Sequence, residues 1–161
     1  EHPRALDAAV EAIHSANMIV LAPGSLYTSI IPNLLVDGIA DAIRDSKALK
    51  LYVCNVMTQE GETEGYTVSD HIQALFSHSY PGLFRLCLTN STPIPEVIAL
   101  RYAQEGAEPI RHDVEKCRAL GVELINRPVA ALENGLVRHN PGHLAHELMT
   151  IYEEYKPKDP A

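Results

Sequence analysis

Met18-Ile-Val-Leu-Ala-Pro-Gly-Ser-Leu-Tyr-Thr-Ser-Ile-Ile-Pro-Asn-Leu-Leu35 is the stretch on which the reading of the fold turns. Four apolar residues, Met18 to Leu21, read as a short buried strand. The chain leaves it through Pro23, Gly24 and Ser25, gathers hydroxyls at Tyr27, Thr28 and Ser29, and enters a helical pattern over 29–35. Gly24 suits such a turn because, lacking a Cβ, it can take a positive φ or let another group approach the backbone. Ser25 or Thr28 can cap the helix, whose first N–H groups and positive dipole end favour an anion. Two readings stand here. One is an ordinary strand-to-helix turn with a good cap; the other is a turn that holds phosphate at the carboxyl end of a strand, where open α/β sheets bind their ligands.

Working outward, the chain alternates strands and helices, which predicts an α/β domain with a mainly parallel sheet. Residues 4–15 form a helix with Leu6, Ala9, Val10 and Ile13 on one stripe. A second helix over 39–46 is split from the first near Asp37-Gly38, and 49–56 is the next strand. A polar loop over 57–66 precedes a helix over 69–77. Residues 83–88 read as a strand, 95–103 and 112–120 as helices, and 122–125 as a strand. A short extended piece at 136–138 leads into a final helix over 141–155, and residues 156–161 read as a flexible tail. No repeat or linker interrupts this, so one domain over 1–155 is expected. The first strand arrives only at residue 18, which is late for a doubly wound fold that opens on a Gly-rich strand-turn.

Composition bounds the function. With 161 residues, 46% of them hydrophobic, the chain is long enough to bury one sizeable core. A net charge of −8 argues against nucleic acid as a partner, since such binding depends on basic patches. It leaves room for a nucleotide, which backbone dipoles can hold inside an acidic protein. No apolar run reaches the ~20 residues that a membrane helix needs. Cys54, Cys87 and Cys117 stand singly, without metal spacing, and read as free buried thiols of a reducing compartment, hence a cytoplasmic protein.

The other candidate motifs are weaker. The run from Asn55 to Thr67, with Thr58, Gln59, Glu62 and Thr63, follows a strand and offers amide, hydroxyl and carboxylate groups; a solvated loop and a binding loop account for it equally. Of the eight histidines, His139, His143 and His146 lie closest to a metal pattern, but nothing completes a ligand set, so no metal is expected. Asp70 and His71 are adjacent and cannot face each other on a helix, which leaves Ser69 or Asp70 as caps. Ser25 lacks the context of a hydrolase nucleophile, and no catalytic residue is assigned.

Four segments together, APGSLYTSIIPNLLVDGI at 22–39, YVCNVMTQEGETEGYTVSDHI at 52–72, RYAQEGAEPI at 101–110 and LVRHNP at 136–141, resemble the gluconeogenesis-factor family. These are nucleotide-sugar-binding regulators related to the 2-phospho-L-lactate transferases of deazaflavin-coenzyme synthesis. The resemblance runs from about Pro3 to Tyr152. It implies a Rossmann-like three-layer fold, and a chain that corresponds to the C-terminal half of the family's domain. The N-terminal strands, the Gly-rich loop and the metal-binding aspartate of the transferases belong to the other half, which the resemblance makes a partner of this one.

By the same resemblance, Gly24 and Ser25 form a phosphate-contacting turn with Tyr27, Thr28 and Ser29 beside it. Asn55, Thr58, Gln59, Glu62 and Thr63 match a second binding loop, and Tyr102 and Arg138 match positions that hold a uridine-diphosphate sugar. From the residues alone, Tyr102 would be helix packing and Arg138 a surface charge. Some regulators carry a phosphorylatable threonine where this chain has Pro141, so kinase regulation there is not supported. The expected function is a UDP-sugar-binding regulator, a homo-oligomer, linked to gluconeogenic carbon metabolism, cell-wall synthesis and cell shape, with a nucleotide-sugar ligand and no certain cofactor. The alternative is a phospholactate-type transferase using a nucleotide donor and a deazaflavin.

Overall fold

The structure is a computed structural model that describes residues 3–156. Its centre is a four-stranded sheet in the order β1 (Met18–Leu21), β2 (Leu49–Val53), β3 (Leu86–Asn90) and β4 (Glu123–Arg127), every pair parallel. The helices are α1 (Asp7–Ser15), α2 (Ile31–Leu34), α3 (Ile39–Asp45), α4 (Val68–Ser77), α5 (Glu96–Gln104), α6 (Val114–Ala119) and α7 (Pro141–Tyr155). Strands that step in one direction through right-handed crossovers send their connecting helices to one face. On that face Leu26, Leu34, Ile43, Ile72, Leu75 and Cys117 pack against Ile19, Leu21, Tyr52, Cys87 and Leu124. The opposite face is covered by α7, whose Leu144, Leu148 and Ile151 meet Leu51, Val53, Leu86, Leu88 and Ile125. Alternate residues of one strand serve opposite layers, which is why β2 is apolar nearly throughout. The expected α/β three-layer arrangement with a parallel sheet is what the chain builds.

Local signals explain most boundaries. Thr67 and Asp70 form a reciprocal capping box at the start of α4, and the Asn140 side chain accepts from His143 N–H at 2.9 Å at the start of α7. Gly38, at φ 97°, supplies the left-handed residue that separates α2 from α3. Three expectations shift. A π-helical turn over Leu26–Ile30 runs into α2, so the helical segment starts earlier than its periodicity suggested. The strand expected at 83–88 is β3 at Leu86–Asn90, because Leu83 and Phe84 are buried in a turn ahead of it. A strand absent from the sequence reading, β5 (Ala130–Glu133), pairs antiparallel with β6 (Leu136–His139). Asn134 and Gly135, both at positive φ, join them as an Asn-Gly hairpin turn, a signal that the sequence carried. The three cysteines are free and buried. Of the expected tail, residues 157–161 lie outside the described residues.

Asp113 ties α4 to α6. Its carboxylate accepts from Ser69 N–H at 2.9 Å, from Thr67 Oγ1 at 2.7 Å and from the Ser69 hydroxyl. Burial pushes this carboxyl up, but those hydrogen bonds together outweigh it and hold it below the usual aspartate range. Asp113→Ala is expected to destabilise the fold by about 2–3 kcal/mol, read by chemical denaturation. Because the folded value is depressed, the stabilisation is complete above the ordinary aspartate value of 3.8 and fades as pH falls below it. Wild type and variant should therefore converge in acid.

Candidate functional site

All four parallel strands point their carboxyl ends to one edge of the sheet, and the turns there enclose a cavity of about 480 Å³. The turn after β1 supplies Gly24 and Ser25, and the loop after β2 supplies Asn55, Thr58 and Gln59. The remaining wall is Tyr102 from α5 and Arg138 from β6, brought in because the hairpin folds back over α5. Seven of the expected residues therefore line one cavity, although they come from four segments of sequence.

The two turns are hydrogen-bonded to each other. Asn55 makes a two-point contact with Gly24: its Oδ1 accepts from Gly24 N–H at 3.1 Å and its Nδ2 donates to Gly24 C=O at 2.8 Å. Ser25 Oγ donates to Gln59 Oε1 at 2.9 Å. Glu62 accepts from Leu26 N–H and Tyr27 N–H, each at 3.1 Å, and from Thr28 Oγ1 at 3.5 Å. The anion at this turn is thus the protein's own carboxylate. Neither Ser25 nor Thr28 caps the helix in the expected way; Ser25 makes no capping hydrogen bond, and Glu62 takes that role from a distant loop. Gly24 does not adopt a positive φ, and a Cβ there would meet Ser29 Cβ at 3.6 Å and Ile30 Cγ1 at 3.9 Å, which is ordinary contact. A backbone requirement for glycine is therefore absent on the protein side of the turn.

Tyr27, Thr28, Ser29, Glu62 and Thr63 lie around this cavity rather than in it, and some of the lining side chains also serve the fold. Thr58 and Thr63 are buried and serve the loop itself: Thr58 Oγ1 accepts from Glu108 N–H and Thr63 Oγ1 accepts from Gln59 N–H. Tyr27 and Tyr66 share a hydroxyl hydrogen bond of 2.9 Å, and that bond, ahead of burial, raises Tyr27 from 10.0 to about 12. Ser29 borders a separate hollow beside β1. Tyr102 is a positioned group and not simple helix packing, since its hydroxyl accepts from Val137 N–H at 2.9 Å and fixes the hairpin on α5. Arg138 is exposed and, among the described residues, its guanidinium has no hydrogen-bond or ion-pair partner.

His139 was not singled out as a site residue, yet it lines the cavity next to Arg138. Its Nε2 is buried without a partner, and burial, partly opposed by the Cys54 backbone, lowers the imidazole below its ordinary value. Its place in the LVRHNP segment was the available signal. A smaller hollow of about 300 Å³ adjoins the cavity across Asn55 and Val56 and reaches Asn90, Thr92 and His112. His143 and His146 are exposed on α7, and among the described residues no group of three or more His, Cys, Asp or Glu could hold a metal ion. Also among the described residues, no helix is long and apolar enough to cross a membrane.

A family model described as 2-phospho-L-lactate transferase CofD matches residues 1–130. The gluconeogenesis factor of Halalkalibacterium halodurans is 46% identical over 140 residues, covering 87% of this chain and 44% of that protein. The gluconeogenesis factor of Bacillus subtilis is 41% identical over 145 residues, covering 90% of this chain and 46% of that protein. A crystal structure of a UPF0052-family protein from Bacillus halodurans superposes with a TM-score of 0.87 at 44% identity, covering 91% of this chain and 47% of that one. The chain thus spans about half the length of the curated relatives it matches.

The Asn55–Gly24 contact yields a test of the site's architecture. Asn55→Ala should cost about 1–3 kcal/mol by removing both bonds from a half-buried peptide group. Asn55→Asp should cost at least as much, because a carboxylate oxygen then faces the Gly24 carbonyl with no donor between them. Denaturation, with amide exchange at Gly24, checks both.

Proposed function

The chain belongs to the 2-phospho-L-lactate transferase CofD family, and from that premise we propose that the protein containing it is a UDP-sugar-binding regulator of the gluconeogenesis-factor type. The observation that carries this reading is Arg138, a guanidinium without a partner among the described residues, on the wall of a cavity that also presents Ser25, Asn55 and Gln59. A diphosphate needs a full positive charge as well as neutral donors, and a planar guanidinium bonds phosphate oxygens two at a time. The volume of about 480 Å³ falls in the range of small-ligand sites. The similarity to two gluconeogenesis factors supports the link to gluconeogenesis. The links to cell-wall synthesis and cell shape and a homo-oligomeric state rest on the family resemblance alone, and a cytoplasmic location on the three free, buried thiols.

The outer side of β1 has no strand partner among the described residues, and Met18 and Val20 on it are only half buried. An open sheet ends in two such edges, β4 forming the other, and the family resemblance, which puts the N-terminal strands in the other half, favours β1 as the side that is extended. We therefore extend the proposal: residues 3–156 form the C-terminal half of the domain, and the remaining length adds strands beside β1. The name of the matching family model favours a second reading, transfer of a phospholactyl group from a nucleotide donor to a deazaflavin. Turnover of such a donor by the full-length protein would select it.

Arg138→Ala in the full-length protein should weaken UDP-sugar binding about 10- to 150-fold, the equivalent of one charge-assisted bond. Arg138→Lys should restore it only in part, because the fork is lost. The arginine's contribution should shrink as ionic strength rises, whereas the loss in Tyr102→Ala should not change with salt. Calorimetry reads all of these. Wild-type affinity in Arg138→Ala would return the residue to the status of a surface charge.

A further inference from the structure

Three side chains of the loop after β2 engage three successive points of the turn after β1. Asn55 bonds Gly24, Gln59 bonds Ser25, and Glu62 bonds Leu26 and Tyr27. Only the last of them is charged, and it meets the first free N–H groups of a helical segment, where a carboxylate gains from the dipole as well as from the hydrogen bonds. Resting on the nucleotide-sugar reading above, we infer that Glu62 is a positioning residue: an internal stand-in for phosphate that locks the two turns together and directs the ligand's phosphates toward Ser25 and Arg138.

The loop that presents Glu62 is built to hold it still. Thr58 N–H donates to Glu108 C=O and Glu108 N–H donates to Thr58 Oγ1, both at 2.8 Å. Thr63 N–H donates to Gln59 C=O at 2.9 Å and Gln59 N–H donates to Thr63 Oγ1 at 2.9 Å, with Thr63 only 1% exposed. Across the contact, Leu26 is 0% exposed, so the turn cannot move its N–H groups away without unpacking the core. Two anions cannot share the same pair of donors. A phosphate that reached Leu26 and Tyr27 would have to expel the carboxylate and pull this bonded loop apart. The donors left for it are the groups that face the cavity, and the one full positive charge on the described wall is Arg138. Removing Glu62 should therefore loosen the wall that carries Asn55 and Gln59, and binding should weaken, although a negative charge has been deleted from the neighbourhood of an anionic ligand.

The test uses the full-length protein, with UDP-glucose as probe, calorimetry for affinity and amide exchange for the turn. In Glu62→Gln one N–H loses its acceptor, so exchange at Leu26 and Tyr27 should speed up and UDP-glucose affinity should fall about tenfold or more. Glu62→Asp, which keeps the carboxylate on a shorter arm, should recover part of both. In Glu62→Ala, added formate should refill the nest and restore protection at Leu26 and Tyr27 together with affinity, a rescue that a purely structural defect would not show. Unchanged protection and affinity in Glu62→Gln would overturn the inference. Tighter binding in Glu62→Gln or Glu62→Ala would overturn it too, by making Glu62 a competitor of the ligand. If the wild-type protein fails to bind UDP-glucose, the functional reading falls by itself; exchange and formate rescue then decide the role of Glu62 alone.

Discussion

The parallel ladder between β1 and β2 sets the geometry that the site depends on. Its register places Leu21 opposite Tyr52. Gly24 lies three residues beyond the one and Asn55 three residues beyond the other, so the chains leave the sheet in step and the Asn55 amide meets the Gly24 peptide at both of its polar atoms. The Gln59–Ser25 and Glu62–Leu26 contacts extend that pairing beyond the last rung of the ladder. A slip of one residue would carry Leu21 and Tyr52 to the wrong face and break the turn pairing in the same movement. Core packing and site assembly are therefore enforced by one constraint.

The sheet's winding has a second consequence. With α2, α3, α4 and α6 packed on one face, the other face depends on an element outside the βαβ rhythm, and α7 fills that role. The path from β4 to α7 runs through the β5–β6 hairpin, which rests on α5 through Val137, Ile98 and Tyr102. Covering the sheet thus also brings Arg138 and His139 over the carboxyl edge. The residue that offers the positive charge is delivered by the same segment that closes the hydrophobic core.

The question raised by Pro23-Gly24-Ser25 has a double answer. The turn does hold an anion, and the anion is Glu62. N–H groups at a helix start favour any negative oxygen, so sequence chemistry identifies the preference without naming the occupant. The cavity lies beside this filled nest, and the hydroxyls at Tyr27 and Thr28 turn out to serve Tyr66 and Glu62.

Strand and helix alternation and the family segments were legible from residue order, because they rest on periodicity and local pattern. Of the caps, Asp70 was read at the start of α4, while the N-caps Thr67 and Asn140 were passed over although their signals are local. The Asn134-Gly135 turn was equally legible and was passed over, since β5 is short and only weakly alternating. Other features required the fold. Thr58 and Thr63 carry the same hydroxyl as Thr28, yet they are buried struts of a loop while Thr28 is exposed. Tyr102 reads as helix packing until the hairpin lies on it. Arg138 comes to Ser25 across more than a hundred residues, because two strand ends and a hairpin converge on one edge. Sequence determined which groups were available and which local conformations they preferred; tertiary structure decided which of those groups face each other and which face the cavity, since that depends on register and layer packing between segments far apart in the chain.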